Sequence, residues 1–226
     1  MKKSQILLHV IIIPFVLLEL YSRWIENVNL EYIAKPLLML WIAAYFLLYS
    51  KGIKQRITIV LAFFFSWLGD MFLMLANSNE ILFYAGVGGF FIAQLLYIYT
   101  FLYVSGDRTA AGYLSARPLM LVPFIVYLAG MLFMLVPDME GIMIPVIAIY
   151  AISLIAMSLA ALNRRTRVDR QSYRLVFIGS VFFVVSDSLI AINRFTFYFE
   201  KASFIIILTY LTAQYLIMRG LLKEWE

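Results

Sequence analysis

Asp70, in FFFSWLGDMFLML, and Asp187, in VFFVVSDSLIAI, stand deep inside apolar runs long enough to cross a bilayer. A carboxylate at that depth costs several kcal/mol unless it is paired, protonated or turned toward a polar cavity, so two of them mark a functional site. Two carboxyl groups brought close in a medium of low dielectric do not both ionise, which leaves one protonated acid beside one base. That arrangement suits general acid–base hydrolysis through an oxocarbenium-like state. It equally suits a proton-coupled carrier of a lipid or small amphiphile, and the spacing of the residues does not separate the two.

Other polar residues fall near the same level. Ser66 precedes Asp70 by one turn, and Ser180 precedes Asp187 by two, so each shares a helix face with its acid. Gln94 and Gln214 descend from the opposite end of their spans, with Tyr97 and Tyr210 three and four residues away. Ser186, Ser188 and Gly69 flank the acids and permit close helix approach. Lys35 stands just inside the end of its span, where it could reach toward the acids, toward an anionic headgroup, or simply to the interface. Glu19 and Arg23 form an i, i+4 pair, and His9 reads as a satisfied helix residue. Candidate acid–base residues are thus Asp70 and Asp187, with Lys35, Ser66, Gln94, Tyr97, Ser186, Tyr210 and Gln214 as candidate substrate contacts.

The elements that position these residues follow from composition. The chain has 226 residues, 64% hydrophobic and 14% charged, with a mean hydropathy of +0.92. A soluble domain would be about half apolar and a quarter charged. The expectation is an all-α polytopic membrane protein, a single domain over 1–226, with spans near 5–22, 31–49, 57–76, 81–104, 117–136, 141–162, 174–193 and 202–221. Each is close to the ~20 residues needed to cross the hydrocarbon. The first span has no small-x-small cleavage site before Glu19 and Arg23 and is read as retained. Cysteine is absent and His9 is the one histidine, a poor start for a zinc site, so no metal site is expected.

Loop charge orients the chain. Lys2, Lys3, Lys51, Lys54, Arg56, Arg108, Arg117, Arg164, Arg165, Arg167, Arg170, Arg174, Arg219 and Lys223 fall on one side, against Arg23, Lys35, Arg194 and Lys201 on the other. The positive-inside rule then places both termini in the cytoplasm and the protein in the cytoplasmic membrane as a multi-pass component. The net charge of +5 therefore speaks of lipid headgroups rather than nucleic acid. The run from Arg164 to Arg174 reads as a topology determinant beside anionic headgroups. Counted from spans starting at 57 and 174, both aspartates lie about 20 Å from that side. A weak four-plus-four echo, 1–110 against 111–226, sets Asp70 and Ala93-Gln94 beside Asp187 and Ala213-Gln214, with acid-to-amide spacings of 24 and 27.

Lys35-Pro36-Leu37-Leu38-Met39, Ser66-x-x-Gly69-Asp70, Gly89-Phe90-Phe91-Ile92-Ala93-Gln94-x-x-Tyr97, Gly179-x-x-Phe182-x-x-x-Ser186-Asp187-x-x-x-Ala191-x-x-Arg194-Phe195 and Tyr210-x-x-Ala213-Gln214 together resemble the YhhN family. The order and spacing of the motifs, from helix 2 to helix 8, carry the resemblance. Eukaryotic members are lysoplasmalogenases. The resemblance implies an eight-helix, cofactor-free enzyme that takes a lysophospholipid substrate from the surrounding membrane lipids. It would hydrolyse the vinyl ether of lysoplasmalogens with Asp70 and Asp187, while Gln94, Tyr97, Gln214 and Ser66 position water or glycerol hydroxyls and Lys35 holds phosphate. One departure stands out: the family commonly has Ala-His where this chain has Ala93-Gln94, and a Gln cannot transfer protons at neutral pH.

Overall fold

The computed structural model describes residues 3–53, 55–76 and 79–225; Lys2 and Lys54, used above to orient the chain, lie outside them. The protein is 85% helical, with no strand among the described residues. Among the described residues, eight helical stretches are long and apolar enough to cross a membrane. Their α-helical parts are α1 (Lys3–Trp24), α2 (Val28–Tyr49), α3 (Arg56–Ala76), α4 (Glu80–Tyr99), α5 (Val122–Leu135), α6 (Met143–Asn163), α7 (Arg170–Phe195) and α8 (Ala202–Lys223); 3-10 turns at both ends lengthen the α5 span to Pro118–Asp138, and a π-helical turn lengthens that of α4 to Val104. Hydrocarbon offers no partner to a free N–H or C=O, so a spanning segment must close its hydrogen bonds internally, and the helix does so. The eight spans expected from the sequence are the eight observed. The protein is a multi-pass membrane protein.

By its packing the chain divides into two units, Met1–Ala93 and Gln94–Glu226. In the first, α1 packs on α2 and α2 on α3. The α1–α2 turn is tight: Glu26 takes a left-handed φ of 55°, and the Asn27 side chain accepts hydrogen bonds from the backbone N–H groups of Asn29 and Leu30, capping α2. Helices α3 and α4 approach through glycine. A Cβ on Gly89 would stand 2.9 Å from the Gly69 nitrogen, so any side chain there would drive the helices apart. The Trp67 indole N–H donates to the Pro36 carbonyl at 3.0 Å, tying α3 to α2 across the polar level.

In the second unit α7 and α8 form an intimate pair joined by a turn in which Lys201 has a φ of 59°. A Cβ on Gly179 would meet the Ala213 carbonyl oxygen at 2.9 Å, which fixes glycine at that contact. Helix α6 packs on α7, and α5 on α6 and α7. Helix α4 ends in a π-helical turn, Thr100–Val104, before the loop that begins at Ser105. Helix α7 starts at Arg170, where Asp169 caps it by accepting from the N–H groups of Gln171 and Ser172. Arg170 and Arg174 therefore belong to the first turns of α7 rather than to a loop. Asp187 stands 17 residues into α7 and Asp70 14 into α3, so counting from the helix starts no longer gives equal values.

Candidate active site

In the second unit Asp187 is 6% exposed. Its Oδ2 accepts a hydrogen bond from the Tyr150 hydroxyl of α6 and one, at 3.4 Å, from the Gln94 side-chain amide of α4. Gln94 is fully buried, and its own carbonyl oxygen accepts from the Ser153 hydroxyl. Tyr150 and Ser153 lie three residues apart on one face of α6. A carboxyl group is thus held in a fixed rotamer by a phenol and an amide, and the amide is in turn oriented by a serine. This order is what a proton-transferring group requires of its neighbours.

Close by, the Tyr97 hydroxyl donates to Gln214 Oε1 at 2.6 Å, while Gln214 Nε2 is buried without a hydrogen-bond partner. The Tyr97 ring lies between Phe101, stacked at 5.8 Å, and Phe183, edge-on at 6.4 Å. Tyr210 meets Phe183 edge-on at 5.9 Å. The Ser186 hydroxyl donates to the Ile206 carbonyl at 3.1 Å, a bond between α7 and α8. Ser180 bonds Ser158 across α6 and α7 at 3.1 Å. Ser188 bonds the Tyr127 hydroxyl of α5 at 2.8 Å.

In the first unit Asp70 is 4% exposed and ends a ladder of alternating charge. Lys35 Nζ lies 3.5 Å from Asp70 Oδ1 and 3.9 Å from Glu31 Oε1. Arg23 bonds Glu31 through Nη2 and Glu19 through Nε at 3.0 Å. All but Arg23 are buried, and Glu19 is fully so, with Oε2 lacking a hydrogen-bond partner. Each charge meets its opposite, which is the condition for a charge to persist in low dielectric. Lys35 does not merely snorkel to the interface: it is inserted between two carboxylates. Ser66, one turn before Asp70, is fully buried with its hydroxyl unpartnered, an acceptor and donor in reserve beside the acid.

Sequence reasoning missed Glu31, Tyr150 and Ser153. Signals existed: Glu31 is i−4 to Lys35, and Tyr150 and Ser153, with Ser158, are the polar residues that interrupt the apolar run of α6. It also misplaced Arg164. Expected among headgroup-facing charges, Arg164 is fully buried and bonded to Ser105, Ser172 and Glu224. Its neighbour Arg165 is exposed and lies over the Tyr113 ring at 4.6 Å. His9 Nδ1 donates to the Gln5 carbonyl at 2.7 Å, and its ring packs against Trp41 and Tyr45.

The model of the YhhN family matches residues 30–221, a stretch from the start of α2 to the end of α8 that holds Lys35, Asp70, Gln94, Asp187 and Gln214. No curated protein and no solved structure matches the chain. A match over most of the sequence, from α2 to α8, identifies the chain as a member of the YhhN family.

Proposed function

We propose that the protein is a membrane-embedded hydrolase of the vinyl-ether bond of lysoplasmalogen-type lysophospholipids. The observation that carries this reading is Asp187: a buried carboxyl in the interior of a spanning helix, clasped by Tyr150 and Gln94. The chemistry needs one group to deliver a proton and another to carry negative charge. Protonation of the alkenyl β-carbon breaks the C=C π bond and leaves an oxocarbenium ion at the carbon bearing oxygen. Water adds to that carbon and loses a proton to a carboxylate. The hemiacetal then collapses to a fatty aldehyde and the glycerophospho-alcohol, so the net change is addition of one water. We assign proton delivery to Asp187, whose named donors are a phenol and an amide, and charge stabilisation and water activation to Asp70, held by Lys35. Gln94 takes no proton and serves to orient Asp187.

The test is aldehyde release from lysoplasmenylethanolamine by the purified protein, with the saturated alkyl-ether analogue as control. Wild type should turn over the vinyl ether alone, and Asp70→Asn and Asp187→Asn should each lose at least a hundredfold in kcat, at the lower end of general acid–base contributions. Full activity in either variant removes that residue from the mechanism. An inactive wild type that instead takes up lipid in response to a proton gradient would assign the aspartates to a carrier.

A further inference from the structure

The same four helices that supply the Asp187 layer are bound together at one end by a single side chain. Arg164, immediately after α6, is fully buried. Its Nε donates to Ser105 Oγ at 2.7 Å, just past the π-helical turn of α4. Its Nη2 donates to Ser172 Oγ at 3.1 Å in the first turn of α7, and to Glu224 Oε2 at 2.7 Å beyond the end of α8. Glu224 also accepts from the Ser105 hydroxyl at 2.5 Å and from the Gly106 N–H. The Ser172 hydroxyl passes on to the Gly220 carbonyl of α8 at 2.8 Å. The guanidinium lies over the Phe101 ring at 5.5 Å.

Gln94 and Tyr97 are on α4, Tyr150 and Ser153 on α6, Asp187 on α7 and Gln214 on α8. The clamp thus ends every helix that contributes to the polar layer. Along the helices the layer lies about 12–22 Å from it, from the 8 residues between Tyr97 and Ser105 to the 15 between Ser172 and Asp187. Over a lever of ~20 Å, a tilt of about 5° displaces the layer by ~1.7 Å. That is enough to open a 2.6 Å or 3.4 Å hydrogen bond. A planar fork with five donors is what lets one residue hold three segments at once, and an ammonium on a flexible stem cannot reproduce it.

We propose that Arg164 and Glu224 are positioning residues that set the register of α4, α6, α7 and α8 and so hold Gln94 and Tyr150 on Asp187. The proposal rests on the reading of Asp187 as a reacting carboxyl only for its effect on rate; its effect on geometry stands alone.

The experiment exploits the absence of cysteine from the chain. Spin labels on cysteine pairs at the exposed positions Leu95 and Leu208, and Ile152 and Ile178, report the spacing of α4 from α8 and of α6 from α7. Arg164→Lys and the milder Glu224→Gln and Ser105→Ala are compared with the parent by pulsed dipolar spectroscopy and by aldehyde release. The expected result is a broadened distance distribution in the folded variants, with kcat lowered at least tenfold and KM changed less than threefold. Unchanged distributions in any folded Arg164→Lys or Glu224→Gln protein overturn the proposal, as does a broadened distribution with unchanged kcat. Should the parent itself release no aldehyde, the distances alone decide the clamp, and only the hydrolase reading falls.

Discussion

Removing the Tyr150 hydroxyl tests the centre of the site most cleanly. Tyr150→Phe keeps the ring and deletes one donor from Asp187 Oδ2, leaving the Gln94 amide at 3.4 Å as the remaining named donor on that oxygen. Leaving a buried acceptor without one of its donors costs about 1–3 kcal/mol, whereas side-chain hydrogen bonds between membrane helices average about 0.6. Asp187 is 6% exposed, so little water is available to replace the lost donor. The coupling between Tyr150 and Asp187 should therefore exceed the bilayer average and reach about 1.5 kcal/mol or more. A double-mutant cycle of Tyr150→Phe with Asp187→Asn, read by unfolding in mixed micelles, isolates that energy. In aldehyde release, the same loss felt in the transition state lowers kcat/KM by at least about tenfold. A coupling at or below about 0.6 kcal/mol together with unchanged turnover would refute the reasoning, because the phenol would then be an ordinary packing contact.

Three further outcomes follow from the geometry. Lys35→Met strips the cation from Asp70 and Glu31 and should cost about 3 kcal/mol, at the low end for a broken buried pair given the 3.5 Å separation; in thermal unfolding, adding Asp70→Asn should recover part of the loss rather than compound it. Gln94→His can still donate to Asp187 and accept from Ser153, so the fold should persist, while a group with an ordinary pKa of about 6.5 enters the site; the pH profile of turnover should gain a titration additional to those of the parent, and profiles superimposable on the parent's would count against contact between position 94 and the reacting acid. Tyr97→Phe leaves a fully buried Gln214 without the hydroxyl that its carbonyl accepts and should cost about 1–3 kcal/mol of stability, most of it restored by Gln214→Leu in the same background.

Much of the fold was legible because hydrocarbon imposes one solution on an apolar run of ~20 residues. The spans could be counted, and Asp70, Asp187, Gln94 and Gln214 stood out simply by being polar in the wrong place. Their pairings were not legible. Tyr150 meets Asp187 across 37 residues and Ser153 meets Gln94 across 59, contacts set by the rotation of each helix, which composition does not encode. Tyr97 illustrates the point: its i+3 spacing ties it to Gln94, yet its hydroxyl goes to Gln214 on another helix. Arg164 was hidden for a different reason. It is one of several arginines in a row, and only the path of the chain at the end of α6 turns it inward while Arg165 stays outside. Helix α7 began early because Asp169 caps it, a local signal available in the sequence and easily outweighed by the arginines around it.

The charge ladder of the first unit bears on how the chain enters a membrane at all. Helix α1 carries Glu19 and Arg23, and α2 carries Glu31 and Lys35, across a turn of three residues. A charged residue inside an isolated spanning helix adds to its insertion free energy, by up to roughly 2.5–3.5 kcal/mol at the centre and by less toward the ends, where these four stand. Folded back on each other, the two helices match two negative charges with two positive ones, and Arg23 spans both. Each segment is therefore a poorer passenger alone than as half of a hairpin. Biogenesis should favour delivery of α1 and α2 to the lipid together, after the second has left the ribosome. Lys35, shared onward with Asp70, then makes that neutral hairpin a docking partner for α3.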